Sequence, residues 1–201
     1  MNKNIEQVLE FWFGGFPDAY SSDPSKVDMW FRNGSAYDRD IFVRFGALYD
    51  RAIKDELQSW SESPRGRLAL IILLDQFSRH IHRGQAEAFA QDEKAQALSL
   101  DGIAVGDDKL LHPVERSFFY LPLMHAENLE RQDYCVAAYE GLVDDVPSPY
   151  KKAFEGNLDY AIRHRYVIEK FGRFPELNEI LGRQTTDEER AFLEKDEYSF
   201  L

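Results

Sequence analysis

Apolar residues recur along most of this chain at a spacing of three and four. Ile5, Val8, Leu9, Trp12 and Phe13 form one such stripe, with Asn4 placed to cap it and Gly14-Gly15 to stop it, which predicts a short amphipathic helix. Asp23-Pro24 opens a second helix carrying Val27, Trp30 and Phe31, ended by Gly34. Ser35, with Asp38 three residues on, resembles a capping box for a third helix through Tyr37, Ile41, Phe45, Leu48 and Ala52, reaching about Trp60. Ser63-Pro64 then starts a helix whose run RLALIILLDQF is apolar on every side. Such a helix is buried centrally rather than laid on a surface.

Downstream, a helix is expected from about Asp92 to Gly106, and another from His112-Pro113, with Pro122 kinking or dividing it because proline lacks the amide the ladder needs. The face Leu121, His125, Asn128, Leu129, Gln132, Val136 continues at helical spacing. Ser148-Pro149 begins a helix ended by Gly172, a short helix follows from Pro175 to Leu181, and Thr186 with Glu189 reads as the capping box of a last one. No stretch alternates as a strand does. The expected fold is all-α, a helical array or bundle around a central buried helix at about 64–83, in a single domain over 1–201.

Composition narrows the function. With 201 residues, 44% hydrophobic and 14% aromatic, the chain has enough to bury for one packed core. A net charge of −12 repels polyanions, so nucleic-acid binding is disfavoured. Cys135 is the one cysteine, which excludes an intrachain disulfide, and a reducing cytoplasm fits best. The apolar stretch in MNKNIEQVLEFWFGG is too short and too charged for a signal segment or a membrane span, so no membrane role is expected.

Titratable chemistry concentrates directly behind the apolar run, in LLDQFSRHIHRG. Asp75, Arg79 and Arg83 stand four apart, on one helical face. An Asp followed four residues later by Arg is also an ordinary surface pair, but a solvated face is a poor continuation of an all-round apolar helix. His125 shares its face with Leu121 and Leu129, and His164 shares one with Ala161, Ile168 and Phe171, so both point inward. Each alone reads as a hydrogen-bonded core histidine; two together also suit a general acid or base, with Asp75 or Glu127 to orient it.

Arg163, His164, Arg165, Arg173 and Arg183 make a local basic cluster, which in an acidic chain suits one specific anionic group unless each arginine pairs with a neighbouring carboxylate. No HExxH, paired ExxH or HxxxH places two metal ligands on one helical face, and His80 and His82, two apart, point in different directions. No metal or other cofactor is expected. A glycine-rich phosphate loop and a GxSxG elbow are both absent, and Cys135 reads as a small core residue.

The stretches RGRLALIILLDQFSRHIHRG, AFAQD, VERSFFYLPLMHAENLERQ and FGRFPELNEILGRQTTDEERAFL resemble the bacterial family called domain of unknown function 924. The resemblance implies an all-α fold placed in the tetratricopeptide-repeat-like superfamily, and no activity. Members usually read RN where this chain has Arg79-His80, and HRN where it has Glu176-Leu177-Asn178. Arg79, Arg83, His125, Glu127, Gln132, His164, Arg173 and Arg183 match.

Three readings follow. In the first, a concave helical face binds an anionic small molecule or an acidic peptide through Arg79, Arg83, Gln132, Arg173 and Arg183, with Trp30, Phe77, Phe119 and Tyr120 for apolar contact. In the second, the chain is a small-molecule enzyme using His125 or His164 as general acid or base, with Asp75 or Glu127 behind it. In the third, the polar groups pair among themselves and are purely structural. A histidine and a carboxylate within hydrogen-bond reach at a closed pocket separates the second from the first.

Overall fold

The structure, a computed structural model, describes residues 2–195. Among these residues every regular element is helical. The chain runs through α1 (Lys3–Phe13), α2 (Pro24–Phe31), α3 (Asp38–Ile53), α4 (Pro64–Ile71), a π-helical turn (Ile72–Phe77), α5 (Ser78–Ile81), α6 (Asp92–Val105), α7 (Pro113–Met124), α8 (Leu129–Asp145), α9 (Lys151–Phe171) and α10 (Asp187–Leu193). Short 3-10 turns join several of them, at Gln58–Glu62, Ala86–Phe89 and Pro175–Leu177 among others. No helix among the described residues is long and apolar enough to cross a membrane.

The expected central helix is real. Ser63 caps it by accepting from the Gly66 amide, and Leu68 to Leu74 are buried on every side. α3 packs against its π-helical turn and α5, α6 against α4, and α1 crosses α4. α7 lies along α8, and the short connection after Asp145 folds α9 back along α8. Their apolar faces merge into one large core reaching from Ile5 to Ala161. A second, smaller apolar cluster of Val167, Ile168, Phe174, Leu177 and Phe192 joins the end of α9 to the segment beyond it.

Some boundaries differ from the periodicity. Asn2, not Asn4, caps α1, accepting from the Asn4 amide. Ser35 caps nothing: the chain enters α3 through a 3-10 turn at Gly34–Tyr37. α3 stops at Ile53 rather than near Trp60, because Asp55 adopts a left-handed conformation (φ 63°) that no α-helix continues through. Pro122 sits inside α7 without dividing it, and the break falls at 125–128, where Asn128 caps α8. The capping box at Thr186 and Glu189, and the left-handed glycines 106 and 172 ending α6 and α9, are as expected.

Candidate functional site: a buried aspartate, a histidine and four occupied arginines

The π-helical turn is where the central helix changes character. One residue too many is wound into this stretch, a local rearrangement that re-aims side chains, and Asp75 lies within it. Its side chain is 0% exposed, and a buried carboxylate demands partners. It has them: His125 Nδ1 lies 2.8 Å from Oδ1, Arg79 lies 3.1 Å away, and Gln76 Nε2 donates to Oδ2 at 2.5 Å. Burial pushes the Asp75 carboxyl upward, but Arg79 and His125 outweigh it and hold the group far below the usual carboxylate range. Asp75 is therefore an anion, and an anion only accepts. Nδ1 of His125 must carry a proton, so in the neutral ring the lone pair is on Nε2.

That Nε2 makes no hydrogen bond among the described residues, and the side chain is 18% exposed. The loop presenting it is held at every residue. Gln132 donates from Nε2 to the carbonyls of Met124 and Ala126 on either side of His125, at 2.7 and 2.9 Å. Glu127 accepts from the Phe174 amide at 2.7 Å and from both ends of the Arg183 fork at 2.6 and 2.9 Å. Asn128 caps α8. Gln132, expected among ligand-contacting residues, is 0% exposed; it braces the His125 loop instead.

The arginines are occupied. Arg79 grips Asp92 through two bonds of 2.9 and 3.0 Å, with its guanidinium 5.3 Å from the Phe89 ring. Arg83 grips Asp38 at 2.6 and 2.7 Å, beside His80, whose Nδ1 is 2.7 Å from the same carboxylate. Arg173 grips Glu189 at 2.7 and 2.9 Å, and its hydrogen bonds hold that carboxyl at about 2 although burial opposes them. Arg183 grips Glu127. Of the expected shared face, Asp75 and Arg79 do meet, four residues apart, and Arg79 also reaches Asp92 on α6; Arg83 does not join them, because the helix ends at Ile81 and the Arg83 side chain turns to the start of α3. An anion at any of the four would have to displace a bidentate carboxylate.

His164 is 8% exposed, accepts no role at a surface, and pairs its Nδ1 with the Tyr160 carbonyl at 2.8 Å. Burial lowers it to about 4, and nearby His125 pushes the same way. Burial conversely raises Asp92 above an ordinary carboxylate in spite of Arg79. Of the aromatic residues expected at a binding face, Phe77, Phe119 and Tyr120 are core residues; each follows a helix face that turns inward. Cys135 is buried, 3.8 Å from the Tyr120 carbonyl, with its thiol pushed up by burial. No group of three or more His, Cys, Asp or Glu that could hold a metal occurs among the described residues. Asp92, Asp38 and Glu189 had drawn attention only as helix-start residues, and no local spacing links them to their arginines.

The family model for bacterial proteins of unknown function, DUF924, matches residues 8–197. The chain belongs to this family. A solved structure of a protein of unknown function from Agrobacterium tumefaciens is similar over 96% of this chain and 97% of its own, at 34% identity and a TM-score of 0.79. No curated protein matches. The family and its solved relative agree on the helical array and carry no activity to this chain.

Proposed function

We propose that the chain is a small-molecule enzyme in which His125 Nε2 accepts and returns a proton. One observation carries this: an ionised, fully buried Asp75 bonded to His125 Nδ1 at 2.8 Å, with the opposite nitrogen making no hydrogen bond among the described residues and the side chain 18% exposed. In this arrangement the carboxylate fixes the tautomer and the ring plane, and leaves Nε2 as the nitrogen free to exchange a proton. Arg79 and Gln76 keep Asp75 in place, and Gln132 and Glu127 keep the loop in place.

Two carboxylates, Asp75 and Asp92, face one guanidinium here, so the surroundings of His125 carry net negative charge. That supports a neutral or cationic substrate over the anionic ligand of the first reading, whose arginines are already filled. The test is conversion of a broad mixture of small metabolites, followed by mass spectrometry, with wild type and His125→Asn. The expected result is a compound consumed by wild type and about 100-fold or more slower with the variant. Consumption that survives His125→Asn assigns the chemistry elsewhere, and no conversion by a folded wild type removes the enzyme reading in favour of a structural network.

A further inference from the structure

A cleft of about 680 Å³, whose lining does not include His125, opens between α2, α7 and the start of α9. Its volume lies in the range of small-molecule sites, roughly 300 to 1,000 Å³. Its walls are aromatic. Trp30 and Phe118 pack at 4.7 Å between ring centroids, and Tyr20 meets Tyr150 at 4.9 Å. The Trp30 indole N–H is already spent on the Trp12 carbonyl, which fixes that ring as a flat wall. Phe31, also in the lining, is 68% exposed.

Two polar features give this cleft a direction. Asn157 donates its amide to Ser117 Oγ at 3.1 Å, while its carbonyl oxygen makes no hydrogen bond among the described residues. Lys152 is the charged residue in the lining. It makes no ion pair among the described residues, whereas the arginines expected to bind anions are all occupied, in a chain of net charge −12. An unpaired cation beside tilted aromatic pairs and an open acceptor matches a flat aromatic body with a carboxylate at one end and a donor on the ring.

We propose that this cleft binds an aromatic carboxylate, with the ring against the wall made by Trp30 and Phe118 and facing Tyr150, the carboxylate on Lys152 and a ring donor on Asn157. The proposal does not depend on His125. Indole-3-propionate is the probe, 3-ethylindole lacks its charge, and propionate lacks its ring. The three tryptophans give three indole N–H signals in a ¹H–¹⁵N spectrum, so titration to roughly 5 mM reads the cleft directly through Trp30. The expected result is saturable movement of the Trp30 signal with indole-3-propionate while Trp60 stays still. Lys152→Glu should weaken binding about tenfold and Ala153→Phe, an exposed position at the cleft, should block it. An unmoved Trp30 signal, equal binding of 3-ethylindole, or unchanged binding to Lys152→Glu each overturns the assignment.

Discussion

At the scale of single residues, the two histidines that looked alike in the sequence are different groups. Both sit on inward faces, but His125 meets an ionised carboxylate and reaches solvent, while His164 is enclosed and meets a carbonyl. The inward placement of His164 was legible from Ala161 and Ile168, both buried; that of His125 was not, because the helix breaks at 125–128 and Leu129, expected on the same inward face, is 38% exposed. Their partners were not legible either, because Asp75 lies 50 residues from His125 and no spacing encodes that contact. The difference has a pH signature. With a folded value of about 4 against roughly 6.5 unfolded, His164 takes up its proton first in the unfolded chain. Its contribution is intact above about pH 6.5 and is lost as pH falls toward 4, by about 3 kcal/mol in all. Urea unfolding at pH 7 and pH 4.5 should show a smaller acid loss in His164→Gln than in wild type. An equal loss in both would place the acid sensitivity in other groups.

Elements were the most legible level. The starts at Pro24, Pro64 and Pro113 and the stops at Gly14, Gly106 and Gly172 were readable because proline and glycine restrict the backbone locally. What sequence did not show was how the elements meet. The π-helical turn at Ile72–Phe77, which holds Asp75, has no local signature, and neither has the end of α5 at Ile81, which takes Arg83 off the face that Asp75 and Arg79 share. The break at 125–128 was misplaced to Pro122, since a proline's missing amide is visible in sequence while the capping role of Asn128 depends on a helix start. Gly102 shows the same dependence. Inside α6 it looks like an ordinary helix-weakening residue, but an added Cβ would lie 2.4 Å from Phe119 Cζ and 2.5 Å from Arg67 Cδ. Phe119 is fully buried and cannot swing away. Gly102→Ala should therefore destabilise by about 1 to 3 kcal/mol in chemical denaturation, although its helix propensity improves; a stabilised variant would mean that α6 can move off the central helix.

At the scale of the whole molecule, ion pairs, not apolar area, mark the seam between the large core and the small cluster near the end of α9. Glu127 with Arg183 ties the α7–α8 loop to the segment after Phe174, and Arg79 with Phe89 lies on the other side of the same seam. His125 sits between these two anchor points, one residue from Met124 and two from Glu127. The chain is acidic overall, and Arg79, Arg83, Arg173 and Arg183 are each paired with one of its own carboxylates, the second of the two outcomes that the sequence left open for its basic cluster.

The central claim is that Asp75 leaves His125 with a protonated Nδ1 and an open Nε2. Long-range ¹H–¹⁵N correlation spectra of the imidazole rings at pH 7.5 read that tautomer directly. The account expects His125 as the Nδ1–H form in wild type, shifting toward the Nε2–H form or a mixture in Asp75→Asn, whose side chain can donate where the aspartate could not. A wild-type His125 protonated at Nε2, or one unaffected by Asp75→Asn, would contradict it.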